Sequence, residues 1–291
     1  MYVEWDTPTD NERDVALVLV HGGGGQGTDW EMTPDGRVGW RDYLVEHGYP
    51  VYVVDRPGHG RSPRDPDSDP AMAADANLIG MIFAPQHLAA THTQWPWSRE
   101  PEGAEIQRLT AGQAPISSNQ ALAQARDADR LASLLDQIGP AVLMTHSAGA
   151  PAGWLTAQLR PDAVRAIVAI EPMGPPFVDT PGFGALSWGI TSAQLVTEPP
   201  FDDPEVLKTD PGLTLPGLSG LDILVVTGEA SLAAPGGAAV AEFLAGHGAR
   251  AEHLPLESRG LQGNGHGLIF EANSSETVMP VIDWLERTVG E

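Results

Sequence analysis

The stretch "VLMTHSAGAPAGW", Val142–Trp154, joins an apolar run to a Gly/Ala/Pro-rich one through a single serine. The apolar half reads as a strand buried on both faces. The second half, continuing as "AGAPAGWLTAQL", is free to start a helix. A serine at such a strand-to-helix turn stands above the sheet edge. Its neighbours must be small so that strand and helix can approach closely, which is the logic of the Gly-x-Ser-x-Gly nucleophile elbow. Here the pentapeptide is Thr145-His146-Ser147-Ala148-Gly149, with threonine in place of the first glycine. The rival reading is a serine that caps a helix N-terminus and does nothing else.

Similar runs recur outward from this one: "VALVLVHG" (15–22), "VYVVDRPG" (51–58), "AIVAIEP" (166–172) and "DILVVTGE" (222–229), with "AEHLPLES" (251–258) a weaker further case. Helical patterns lie between them. "SNQALAQARDADRLASLLDQIG" carries Leu122, Ala125, Ala128, Leu131, Leu134, Leu135 and Ile138 at helix spacing, opens on a Ser/Asn cap and stops at Gly139-Pro140. "ETVMPVIDWLERTVGE" reads as a C-terminal helix with Pro280 near its first turn. Strands alternating with helices predict an α/β fold: one domain over 1–291, with a mainly parallel central sheet covered by helices on both faces. Two intervals, approximately 63–118 and 173–220, break the rhythm and are too long for plain connections. They are expected to form a cap over the C-terminal edge of the sheet. Trp95, Trp97, Phe177, Phe183 and Trp188 would be its apolar wall against a substrate.

Two more motifs bear on Ser147. "LVHGGGGQGTDW" places four glycines just after the first central run, where backbone N–H groups face a ligand without side-chain obstruction. Acyl transfer needs two such donors for the tetrahedral oxyanion, one from this loop and one from the residue after the nucleophile. Gly23 and Ala148 fit, with Gly22 and Gly24 as neighbours of open role. A phosphate loop is the competing reading, but the Lys-Ser/Thr ending and the spaced glycines of a dinucleotide fingerprint are both missing. "GLQGNGHGLIFE" sets His266 between glycines, after the last strand candidate and before the final helix, where a general base reaches the serine from a loop. Among the other histidines, His146 is expected to point into the sheet, His21 to be a structural strand-end residue and His59 to shape a turn. For the acid that orients His266 there are two candidates. Glu171 closes "AIVAIEP", 24 residues after Ser147 and thus one strand and one helix away. Glu229 follows the next run. Glu171 ranks first because the strand end brings it beside the site.

Composition narrows the function classes. The net charge of −23, with Lys208 the only lysine, repels phosphate backbones and argues against nucleic-acid binding. The absence of cysteine excludes disulfides, thiolate metal sites and a cysteine nucleophile. No segment approaches the ~20 apolar residues of a membrane span. The polar start "MYVEWDTPTDNERD" is not a signal peptide, so the expectation is a cytoplasmic protein, with secretion open if a leader has been removed.

With these motifs together the chain resembles the α/β-hydrolase superfamily. More narrowly, "TPDGRVGW" combined with "EPMGPP" resembles the group of bacterial esterases typified by the Alcaligenes enzyme whose acid is a glutamate after the sixth strand. The superfamily's habitual aspartate position, after the seventh strand, falls near Ser231. The resemblance implies a Ser147–His266–Glu171 triad, oxyanion donors at Gly23 and Ala148, a small-molecule ester as substrate, and no cofactor or metal. It leaves a homodimer open. Amide, lactone or cofactor-free perhydrolase chemistry would use the same triad. A hydrolase-fold binding protein without activity is the non-enzymatic alternative.

Overall fold

The computed structural model describes residues 1–10, 12–64, 71–180, 183–210 and 212–290. All six apolar runs form strands, and a seventh precedes them. The strands of the central sheet are β1 (Tyr2–Asp6), β2 (Ala16–Val20), β3 (Val51–Asp55), β4 (Ala141–His146), β5 (Val164–Ile170), β6 (Asp222–Thr227) and β7 (Arg250–Pro255). They make one sheet in the order β1-β3-β2-β4-β5-β6-β7. β1 runs antiparallel to β3 at the edge, and every other pairing is parallel. All six residues of β4 are buried, because strands on both sides and helices on both faces enclose it. Its side chains alternate: Val142 and Met144 enter one core, and Ala141 and Leu143 the other.

The helices longer than four residues are α1 (Trp40–Glu46), α2 (Ala76–Phe83), α3 (Ala104–Ala111), α4 (Gln120–Ile138), α5 (Ala150–Leu159), α6 (Ala234–Gly246) and α7 (Met279–Val289). Buried residues of α4, α5 and α6 build the core on one face, and those of α1, α2, α3 and α7 the core on the other. No helix among the described residues is long and apolar enough to cross a membrane.

α4 starts at Asn119, whose side chain accepts the Leu122 N–H, as its cap predicts. Its first two turns depart from the expected apolar stripe. Leu122 and Ala125 are exposed, while Gln124 and Asp127 are buried. The reason is local hydrogen bonding. Gln124 accepts the N–H groups of Ser192 and Ala193, and Asp127 pairs with Arg56 at 2.8 Å. Polar side chains go inside here because buried partners await them.

The two long intervals are less separate from the core than a cap would be. Residues 65–70, 181–182 and 211 lie outside the described residues. Within 173–220, Trp188, Ile190, Leu195, Leu213 and Leu218 are buried in the core that α4 and α5 form. Within 63–118, Ile79, Trp95 and Ile106 join the opposite core.

Thr145, at the end of β4, occupies the place where the elbow pattern has a glycine, and the space comes from the helix instead. A Cβ built on Gly153 of α5 would stand 3.0 Å from Thr145 Cγ2. Gly153→Ala should therefore destabilise the protein by about 1–2 kcal/mol through overpacking. Thr145→Ser, which removes that methyl group, should recover much of the loss in a double-mutant cycle followed by thermal unfolding. Simple additivity of the two changes would refute the contact.

Candidate active site

The site assembles where five parallel strands end, the edge at which open α/β sheets bind ligands. β2 runs into the glycine loop, β4 into Ser147, β5 into Glu171, β6 into Gly228–Ser231, and β7 leads to the His266 loop. Ser147 sits in a tight turn before α5 with φ of 51°, and Glu171 has the same φ. With Phe177 they are the only non-glycine residues at positive φ among those described. Each such residue stores strain of about 1–3 kcal/mol and persists only where its surroundings fix it. At the elbow, a Cβ on Gly149 would lie 2.5 Å from the His21 carbonyl oxygen, so only glycine lets β2 and the turn meet.

His266 bridges the two strained residues. Its Nε2 lies 2.9 Å from Ser147 Oγ and its Nδ1 3.2 Å from Glu171 Oε2. A carboxylate only accepts, so Nδ1 carries the ring proton and Nε2 is the acceptor for the serine hydroxyl. Glu171 is fully buried. Its Oε1 accepts the Gly228 N–H at 2.5 Å and its Oε2 the Ser231 hydroxyl. Burial pushes the Glu171 carboxyl up, and the Ser231 and Gly228 donors pull against it. Burial also drives the His266 imidazole down to about 4, opposed by the charge of Glu271.

Glu229 does not reach the imidazole. It is exposed, and its Oε2 accepts the Gly263 N–H at 3.1 Å. Ser231 contributes a hydroxyl to the carboxylate arriving from the neighbouring strand.

The glycine loop is braced from outside. Arg56 donates through its guanidinium to the Gly23 carbonyl and through its backbone N–H to His21 Nε2 at 3.0 Å. Ala114 N–H reaches the Gly24 carbonyl at 2.6 Å. His21 is thus structural, as expected, and His59 shapes its turn by contacting the Pro57 carbonyl at 3.0 Å. His146 does more than pack into the sheet: its Nε2 donates to the His266 carbonyl at 2.9 Å.

A cavity of about 40 Å³ connects Gly22, Gly23, Ser147 and His266. Its apolar wall comes from Leu78, Ile79, Ile82, Phe83, Ile116 and Phe183, with Asp29 and Gln113 as polar members. Phe83 also stacks against His266, ring centroids 5.4 Å apart. Burial lifts the Asp29 carboxyl to about 7. Of the expected aromatics only Phe183 lines this cavity. Trp95, Trp97, Phe177 and Trp188 are engaged elsewhere. Trp95 packs edge-on against Trp97, Phe177 meets Phe243 and Lys208, and Trp188 is in the core. Large aromatics fill core space as readily as they wall a pocket, and composition does not separate the two.

A buried polar network behind His266 has no clear mark in the sequence. Glu271 accepts the Gly265 N–H at 2.9 Å, the Asn264 amide at 3.0 Å and His92 Nε2 at 2.8 Å. Arg99, which only donates, occupies His92 Nδ1 at 3.2 Å, so His92 gives its Nε2 hydrogen to Glu271.

The model of the α/β hydrolase fold family matches residues 15–189, from β2 through the elbow and beyond Glu171. The chain belongs to the α/β-hydrolase fold family. It is also 33% identical over 314 aligned residues to a probable secreted lipase, phiG, of Fungal sp. (strain ATCC 74256), covering 99% of this chain and 86% of that one. Among solved structures it is similar to a novel bacterial esterase, with TM-score 0.74, 24% identity and coverage of 99% and 85% of the two chains. The monoacylglycerol lipase of Paleococcus ferrophilus shares the α/β-hydrolase fold at TM-score 0.54 and 16% identity, with 98% of each chain covered.

Imidazole titration followed by NMR should place His266 protonation near pH 4, well below an ordinary histidine. Because the Glu271 charge raises that value, Glu271→Gln should move the titration further down. It should also destabilise the protein by about 2 kcal/mol, as one of the two acceptor oxygens of a buried network is replaced by an N–H₂ group that faces other donors. A midpoint at or above 6.5, or an upward shift in the variant, would contradict this electrostatic picture.

Proposed function

We propose that this α/β-hydrolase is a serine esterase that cleaves carboxylic esters through an acyl-enzyme. The observation that carries the reading is the line from Ser147 Oγ through His266 to Glu171, 2.9 Å and 3.2 Å, opening on an apolar cavity beside the glycine loop. The names of a lipase and an esterase among similar proteins agree with it.

In this reading His266 Nε2 takes the Ser147 proton while Oγ attacks the ester carbonyl. The tetrahedral oxyanion takes hydrogen bonds from the backbone N–H groups of Gly23 and Ala148, which strengthen as negative charge develops. Glu171 fixes the tautomer and balances the imidazolium. His266 then delivers its proton to the departing alkoxide. Water repeats the sequence on the acyl-enzyme and frees the acid. Residues 63–118 supply most of the cavity wall through Leu78, Phe83 and Ile116, and 173–220 supply Phe183, so the capping role falls mainly to the first interval. The similarity to a secreted lipase favours an exported protein over a cytoplasmic one.

Ser147→Ala should fold normally, resist labelling by a fluorophosphonate and lose turnover by on the order of 10⁴-fold or more. Appreciable turnover of a nitrophenyl ester by pure variant would refute the nucleophile. Glu171→Gln keeps the shape and removes the charge. It should lower kcat by on the order of 10³–10⁴-fold with KM little changed, since the charge pair matters most in the transition state. Glu229→Gln should stay within about tenfold of the parent, because its carboxylate serves only the backbone of the loop. The opposite ranking of the two variants would transfer the acid role. Ester, lactone and amide substrates assayed side by side decide the reaction class.

A further inference from the structure

A second cavity, of about 400 Å³, abuts the first: Gly23 and Ile116 line both, and Ala148 lines the second. Its wall is more polar than that of the first and carries arginines. Four of the chain's 16 basic residues converge on it, namely Arg56, Arg64, Arg126 and Arg130, although the protein carries a net charge of −23. Among the described residues that line it the one carboxylate is Asp127, which Arg56 already engages at 2.8 Å. Arg126 is also partnered. Among the described residues Arg130 has one loose ion pair, with Asp129, at 3.8 Å between side chains that are both more than half exposed. Arg64 is exposed and adds a further cation at the rim. Arg56 is buried, with an Nε that has no hydrogen-bond partner.

A cavity with this surplus of guanidinium groups suits a planar anion, which an arginine fork binds through paired charge-assisted hydrogen bonds. The geometry points to a substrate that is an ester with a carboxylate on one arm: the ester carbonyl lies at Gly23 and Ala148, and the carboxylate lies among Arg64, Arg130 and Arg56. This rests on the esterase reading and adds a substrate class to it. Gly23 and Ala148, whose N–H groups are the oxyanion donors in the esterase reading, line the cationic cavity, and Gly23 also lines the cavity that holds Ser147, so one ligand can use the two features together.

Two measurements test it. In the first, kcat/KM is compared for monoethyl succinate, adipate and suberate against the ethyl esters of the matching neutral acids. A parallel set carries the carboxylate on the alcohol arm. The anionic ester should be preferred by about tenfold or more at one length at least, the scale of one hydrogen bond to a charged group, and Arg64→Gln/Arg130→Gln should remove most of that preference. Neutral esters preferred throughout, or a preference unchanged in the double variant, would overturn the proposal. In the second, calorimetric binding of adipate, which is not hydrolysed, should weaken about tenfold in the double variant. No binding to the parent protein, or equal binding to both, would likewise overturn it. The two readings fail separately. Arginine-dependent adipate binding with no ester turned over sinks the esterase and leaves the anion site standing. Turnover without anion preference and without adipate binding does the reverse.

Discussion

A buried carboxylate that pairs with no lysine or arginine among the described residues is the constraint on which the edge of this sheet depends. Glu171 is fully buried, and its neighbours at hydrogen-bond distance are the Gly228 N–H, the Ser231 hydroxyl and His266 Nδ1. Removing such a group from water is tolerable only when its oxygens find donors. Two donors come from the exit of β6 and the third from the loop after β7, so the carboxylate ties the end of β5 to both. The positive φ of Glu171 belongs to the same arrangement, because this turn of backbone aims the side chain across the edge. The donors make the carboxylate stable in place, and the imidazole is oriented as a consequence.

The His266 loop is held from its other side by a second buried carboxylate. Glu271 takes the N–H of Gly265, adjacent to the imidazole-bearing residue, while Glu171 takes the ring. His146 closes a third side by donating to the His266 carbonyl. A side chain that must meet Ser147 at 2.9 Å from a glycine-rich loop needs this many ties, since glycine itself offers little stiffness. The two carboxylates act in opposite senses on each other and on the imidazole. The charge on Glu271 disfavours a charge on Glu171 and favours one on His266. The network therefore affects the electrostatics of the site as well as its shape.

The architecture was legible because strands buried on both faces must be apolar at every position, as in "AVLMTH" of β4, and such runs stand out against amphipathic helices. β1 was not, since "YVEWD" is a short edge strand with a solvated side and has no such run. The positions of Ser147, His266 and Glu171 followed from strand ends and chain order, which are properties of local sequence. What depends on distant partners was hidden. Gln124 and Asp127 look like surface residues of α4 until Ser192 and Arg56 are placed opposite them. Glu271 looks like a loop carboxylate until His92, 179 residues away, is brought against it. The misplaced aromatics have the same cause. Trp188 and Trp95 are as useful to a core as to a pocket wall, and only packing decides between them.

The acidity of the chain and the arginines of the second cavity act over different distances. At physiological ionic strength a field decays over about 8 Å, so the net charge of −23 works mainly on solubility and on the approach of ligands. It opposes the approach of an anion and cannot be the source of its affinity. Any attraction has to arise at contact, where guanidinium groups are partly removed from water and their donors have fixed directions. Arg56 is placed for both tasks. It is buried, it is neutralised on one side by Asp127, and it holds the Gly23 carbonyl of the glycine loop. The residue that stiffens the proposed oxyanion loop thus forms part of the cationic wall next to it. A charge bound in that cavity would act on the loop through a single side chain, which couples recognition of the substrate's far end to the geometry at its carbonyl.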